Sequence, residues 1–425
     1  MPRVSPMKLI PALCLGLCSG YASAAGFQLL EQNASGLGNA YAGSAAVSEN
    51  ASTIFFNPAG MTQLKDREFS AGVAGIGTSF KFSDNGSSVG FLAGTGNGGD
   101  GGGWGFVPDA YLSWALSKDL YVGVGVNAPF GLKTEYDNPW LGAAQSTKFD
   151  LKTYNVNPSI AYRVNDLVSL GGGVNWQRLT AEYTRQVGTS APFYATSPLK
   201  LTLDGDAWGW NIGALFNVAP ASKVGISYRS TLSYDLTGNI NVVGTAPVPS
   251  SDTAATASLK LPDVLVLSGT QQVSDKWQVL GDLSWTGWSS IPKLDILRAS
   301  GAGAGTIAQT LDTDFRDTWR VALGANYQYS NDLKLKLGIA YDQTPVKGDS
   351  TRLVSLPDND RTWFSFGTQW IPNKGSTVDF GVAYLYVKDS NINNDQSAAA
   401  PSRGLVSGSY NDSVWILGLQ YSTAF

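Results

Sequence analysis

From about residue 67 to Phe425 the chain is built of segments of about ten to fifteen residues in which apolar side chains recur at every second position. A two-residue period specifies strands and leaves no place for a helical bundle. In the last segment Trp415, Leu417, Leu419, Tyr421 and Phe425 share one face, and Gly418, Gln420, Ser422 and Ala424 the other. Phe364, Phe366 and Trp370 lie opposite Ser365, Gly367 and Gln369 in the same way. From Trp319 to Tyr329 the face formed by Trp319, Val321, Leu323, Ala325, Tyr327 and Tyr329 turns away from Arg320, Gly324, Asn326 and Gln328. Leu333, Leu335, Leu337 and Ile339 alternate with Lys334 and Lys336, and lysines so spaced cannot all face a dry core.

Connection lengths narrow the architecture. Six short polar turns fall at Ser117-Lys118-Asp119, Asn165-Asp166, Pro220-Ala221-Ser222, Ser274-Asp275-Lys276, Asn331-Asp332 and Pro372-Asn373-Lys374-Gly375. Between them lie seven longer Gly/Ser/Asp-rich connections, near residues 81–103, 128–150, 186–206, 239–257, 289–313, 346–360 and 389–409. A soluble β-sandwich also alternates, but it has no reason to sort its loops by length. Thirteen connections in strict short–long order predict an all-β fold, a 14-stranded antiparallel transmembrane β-barrel of the bacterial outer membrane. An even strand number puts both termini at the periplasmic end. Tyr421 and the terminal Phe425 fit the aromatic last strand that the barrel assembly machinery reads, and Tyr121, Trp277, Trp288, Tyr384 and Tyr386 are expected in aromatic belts.

Residues 1–24 read as a signal peptide: Arg3 and Lys8, an apolar run from Leu9 to Leu17, then Ala22-Ser23-Ala24. Both cysteines, Cys14 and Cys18, lie inside it; a lipid-anchored start at Cys18 is the rival, with bulky Leu17 against it. Beyond residue 24 the chain carries 27 basic and 33 acidic residues and no stretch long enough for a membrane helix. With no histidine there is no Ser-His-Asp or Cys-His hydrolase and no imidazole metal site, so neither an enzyme nor a metal or cofactor is expected. The acidic balance argues against nucleic acid.

Residues 25–66 lack the strand pattern and are dense in Gly, Ala, Ser and Asn. Fourteen strands enclose a lumen too wide for wall side chains to fill, so this stretch is expected inside as a plug, with residues 67–425 as the barrel. Asn57-Pro58-Ala59 has the form of a helix start or a turn.

These residues resemble a known family. Gly26-Phe27-Gln28-Leu29, Ser35-Gly36-Leu37-Gly38 and Asn57-Pro58-Ala59-Gly60 are similar to the N-terminal hatch of the FadL family of outer-membrane transporters for long-chain fatty acids and other hydrophobic compounds. Leu261-Pro262-Asp263, Trp285 to Ser289, Arg316 to Gly324, Gly338 to Val346 and Leu356 to Trp363 continue the likeness in family order. The resemblance implies an apolar groove between outer loops, a pocket beside a movable hatch, and sideways exit where the third strand kinks inward. It implies a ligand-contacting role for Phe27 and makes Asn57, Pro58 and Ala59 the hatch motif. Gly123, Gly125 and Pro129 are candidates for the break in the third strand. Phe130, Leu132, Trp140 and Leu141 are candidates for the outer groove, or for a loop packing on itself. Inward Arg320, Arg361 and Lys336 are candidate carboxylate partners, although pairing with Asp282, Asp342 or Asp379 is the favoured reading.

The expected function is uptake of long-chain fatty acids or similar compounds by a monomer that meets lipid and lipopolysaccharide. A carrier of monoaromatic hydrocarbons or alkanes is the alternative within the family, and a general aqueous porin the alternative outside it. The plug-like segment opposes the porin, and the cargo stays open.

Overall fold

The computed structural model describes residues 26–188, 196–301, 303–399 and 402–425. The expected signal peptide lies outside them. Fourteen antiparallel strands form one closed wall. They are β1 (Arg67–Asp84), β2 (Trp104–Ala115), β3 (Leu120–Asn127, resuming at Gly131–Glu135), β4 (Lys148–Arg163), β5 (Val168–Gly188), β6 (Thr196–Ala219) and β7 (Ser222–Arg229 and Leu232–Val242). Then follow β8 (Ser251–Leu261 and Val264–Gln272), β9 (Trp277–Thr286 and Leu294–Arg298), β10 (Ile307–Leu311 and Thr318–Gln328) and β11 (Leu333–Asp342). The last are β12 (Arg361–Asn373), β13 (Ser376–Val387 and Ser390–Asp395) and β14 (Leu405–Ala424). Each pairs with the next, and β14 closes on β1 from Ala424 opposite Glu68 to Gly408 opposite Asp84.

The alternating faces emerge as read. Leu323 is 61% exposed, with Val321, Leu337, Ile339, Phe364, Trp415 and Leu419 also on the outer surface, whereas Arg320, Lys336, Gln369 and Gln420 are buried within. An outward apolar band with inward polar residues is the pattern lipid demands of a barrel. Two residues expected in the aromatic belts face inward instead. Tyr121 alternates with outward Val124 and Val126 and donates to Leu64 O, and Trp288 follows the end of the first part of β9 and packs against Phe27.

Several strands run on into segments whose composition reads as loop. Around Lys200–Asp206 the outward residues are polar, yet Leu201 and Leu203 alternate inward and are buried. Here the outer face has left the lipid, so polar outward residues cost nothing and the strand no longer looks amphipathic. We expect Leu323→Arg, at the middle of the second part of β10, to destabilise the barrel by about 2–4 kcal/mol. Reversible denaturant unfolding in lipid vesicles reads this difference.

Candidate functional site

Residues 26–66 lie inside the wall and are almost entirely buried. Their backbone is held by side chains that the strands turn inward. Ala34 N donates to Gln420 Oε1 at 3.0 Å, Ser44 N and Oγ donate to Asp282 Oδ2 at 3.0 and 2.7 Å, and Ala45 N donates to Ser268 Oγ at 2.9 Å. Asn57 caps the 3₁₀ turn Pro58–Gln63: its Oδ1 accepts from Ala59 N, while Nδ2 donates to Ala45 O at 2.7 Å and to Ala214 O of β6 at 2.9 Å. The motif therefore ties two parts of the segment to the wall. Inward glycines let the backbones meet: a Cβ at Gly338 would lie 2.1 Å from Asn39 C, and one at Gly367 would lie 2.8 Å from Gly38 Cα. Lys336 is buried between Glu49 (2.9 Å) and Asp379 (3.2 Å), and Lys334 binds Glu49 at 2.7 Å. Burial alone would raise the Glu49 carboxyl, but the two lysines hold it well below the usual carboxylate range.

The third strand breaks where the sequence places Pro129. The β2–β3 ladder ends with Ala110 opposite Val126, so Trp104–Asp109 pair with β1 alone. Residues 128–130 bend to the interior, and the N-terminal segment takes up their backbone groups: Leu29 N donates to Pro129 O at 2.8 Å and Gly131 N to Phe27 O at 2.9 Å. Glu135 N donates to Gly101 O at 2.9 Å and closes the gap at the loop end. The result is a bounded window in the wall. Gly123 and Gly125 are not at the break. Both are paired on each side, and their missing Cβ atoms leave space for Ile54 and Met61 of the segment and for Tyr111.

Behind the window lies a cavity that Pro129 and Phe130 of the bend help to line. Leu30, Phe55, Phe56, Phe130, Val264 and Trp288 give it apolar walls, and Arg229, Arg320, Asp282 and Asp342 supply charge. Phe27 stoppers its neighbourhood: its ring lies 4.9 Å from that of Trp288 and 6.0 Å from that of Phe130. Above it a continuous buried apolar cluster takes in Leu132, Leu179, Leu201, Tyr234, Leu261 and Ile296. Arg320 donates to Ala40 O at 2.6 Å and sits 5.1 Å from the Trp363 ring centre. Arg229 donates to Phe55 O at 2.9 Å and lies over that ring at 4.3 Å.

The sequence profile described as "Outer membrane protein transport protein (OMPP1/FadL/TodX)" matches residues 15–425. The chain belongs to this family. It is 30% identical, over 97% of each chain, to the long-chain fatty acid transport protein of Escherichia coli O6:H1. It is 34% identical, over 88% of each, to outer membrane protein P1 of Haemophilus influenzae. Among solved structures, a FadL homologue of Pseudomonas aeruginosa superposes with TM-score 0.86 over 94% of this chain and 99% of that one, at 22% identity. The Ralstonia pickettii toluene transporter TbuX superposes with TM-score 0.71 over 93% and 100%, at 18% identity.

In this FadL-family barrel the four residues read as an outer groove or as a loop packing on itself separate into two places. Phe130 and Leu132 join the cluster around Phe27, whereas Trp140 is fully buried among Phe82, Tyr136 and Tyr410, stacked on Tyr136 at 4.2 Å, with Leu141 beside it in sequence. The physical reason is the break itself, which carries Phe130 and Leu132 inward and leaves residue 140 in the loop. Of the candidate carboxylate partners, Lys336 is held by Glu49 and Asp379, and Arg361 is buried against Asp358; Arg320 alone lines the cavity. Arg229 was missed. It ends the first part of β7, where nothing but its inward parity distinguishes it.

Glu31 is buried with Oε2 lacking a described protein partner. Burial pushes its carboxyl up to about 7 against the pull of Arg361 and Arg320. A folded-state value above the ordinary 4.5 means that Glu31 stabilises the docked segment fully below that pH and loses this as pH rises through about 7. The protection factors of residues 26–36, with the intrinsic pH dependence of exchange divided out, should therefore be lower at about pH 8 than at about pH 5, and Glu31→Gln should reduce that difference.

Proposed function

We propose that this chain takes up long-chain fatty acids or similar hydrophobic compounds across the outer membrane, as a monomer whose two termini face the periplasm. Cargo enters the apolar cluster at the loop end, reaches the cavity beside Phe27, and leaves sideways between β2 and β3. Movement of residues 26–66, beginning at Phe27, opens the route, and Asn57, Pro58 and Ala59 keep the rest of the hatch seated.

One observation carries this reading. The wall has a bounded gap beside an apolar cavity, and the backbone that bends away from the gap is hydrogen-bonded to the N-terminal segment. An aqueous porin has no use for such a gap, because its cargo leaves along the barrel axis. Greasy cargo does: each CH₂ gains about 0.8 kcal/mol on leaving water, so a path ending in lipid runs downhill. The relative at 30% identity is by its name a long-chain fatty acid transport protein, which supports that cargo class. The rings of Phe55, Phe56, Phe130 and Trp288 around the cavity favour monoaromatic compounds as the second reading.

A strain lacking its own transporter and carrying this chain should take up labelled oleate, and liposomes carrying it should not swell in sugars. Sugar entry at porin rates would end the transporter reading. Phe27→Ala, which removes the ring between Phe130 and Trp288, should weaken oleate binding about tenfold or more at unchanged surface levels, as loss of a buried aromatic does. Toluene measured beside oleate ranks the two cargo classes.

A further inference from the structure

We propose that Asp109 is a head-group site at the lateral window, selecting cargo whose polar end carries an O–H donor: a neutral carboxylic acid or an alcohol rather than a bare hydrocarbon. This rests on the transport reading above and adds to it a residue and a selectivity.

The position of Asp109 is unusual for a carboxyl group. It is 4% exposed, and neither carboxyl oxygen has a hydrogen-bond partner among the described residues. Buried carboxyls ordinarily have a cation or several donors, because an unpartnered one is costly. The flanking structure gives it neither. Across the β1–β2 ladder stands Gly72, whose added Cβ would lie 3.0 Å from Asp109 Oδ2, so the carboxyl fills the space of an absent side chain. On its own strand the Tyr111 hydroxyl donates instead to Gln32 O at 2.7 Å, and Asn127 of β3 turns its amide to that hydroxyl. Tyr41 of the N-terminal segment and Tyr111 are its titratable neighbours, and among the described residues no lysine or arginine donates to it.

Its place in the wall gives this acceptor a use. Asp109 is the first inward residue past the last β2–β3 pair, so it stands on the lip of the window. Cargo crossing there gives up water around its polar end before that end reaches lipid. An O–H that would lose its hydrogen bond finds a carboxyl oxygen waiting, so the crossing is eased for acids in the neutral form and for alcohols. A bare hydrocarbon gains nothing.

The test is uptake of three labelled C18 cargoes, oleic acid, oleyl alcohol and octadecene, by cells carrying the full chain or its variants at matched surface levels. Asp109→Leu should lower acid and alcohol uptake about tenfold, the scale of one hydrogen bond to an otherwise unsatisfied buried group, with octadecene unchanged or faster. Asp109→Asn keeps a carbonyl acceptor at the same place, so it should retain most of the acid and alcohol uptake that Asp109→Leu loses. Equal loss for all three cargoes with Asp109→Leu, or acid and alcohol uptake about tenfold down relative to octadecene with Asp109→Asn, overturns the proposal. If Asp109→Leu does not assemble, Asp109→Asn decides alone by that comparison. Failure of the unmodified chain to take up any of the three would sink the transport reading itself; normal uptake with head-group-blind variants would sink only the assignment of Asp109.

Discussion

Lipid offers no partner to a peptide N–H or C=O, so a chain that crosses it as strands must return to its own first strand. The ladder between β14 and β1 meets that demand, and most of the other features follow from it. Closure with fourteen strands fixes a lumen wider than wall side chains fill, which requires a filling; the N-terminal segment provides it. Closure also makes any local opening expensive, because strand edges there lose their partners. At the one place where β3 leaves β2, the chain meets the cost in two ways. Residues 128–130 turn inward to find donors and acceptors on Phe27 and Leu29, and β2 carries Pro108, which has one backbone donor fewer to satisfy. The window and the plug are thus one construction: the bend in β3 is tolerable because the segment is docked against it.

That coupling gives physical content to a hatch. The segment is anchored by polar side chains, by close backbone contact at inward glycines, and by buried apolar contacts in which Leu37, Tyr41, Ile54 and Met61 meet wall residues such as Ile76, Trp363, Leu385 and Tyr121. Replacing a docked backbone group by water at Gln420 or Ser268 costs little net energy, since a hydrogen bond exchanged for one to water is worth only about 1 kcal/mol. The Lys336–Glu49–Asp379 cluster is a firmer point, because separating buried partners leaves uncompensated charge.

How much of this was legible in the sequence depends on which signal each feature leaves. Strand number was legible, because lipid imposes a two-residue period and the turns and loops differ in length. Strand ends were not: beyond the lipid the outward residues turn polar, so stretches such as Lys200–Asp206 read as loop although Leu201 and Leu203 still face in. Pro129 marked the break, but Gly123 and Gly125 had the same appearance and serve to admit Ile54 and Met61 instead. A missing Cβ in a strand records that something comes close, without saying what. Phe130 and Trp140 are ten residues apart in one loop-like stretch and fall in separate clusters, which only the bend decides. Arg229 and Asp109 left no local signature at all, since a single inward charge is common in a polar lumen. Their significance comes from what stands opposite: a cavity in one case, an unpaired ladder edge in the other.

The cavity combines two demands that usually conflict. Apolar rings and branched chains exclude water from it, whereas the charged groups on its wall need partners that offset their burial. Arg229 and Arg320 satisfy part of their hydrogen-bonding capacity with the backbone carbonyls of Phe55 and Ala40, and each guanidinium lies over an aromatic ring. Those carbonyls belong to the N-terminal segment. The same two arginines therefore border both the cavity and the segment, so two of the charges that line the cavity are also points at which the segment is held to the wall.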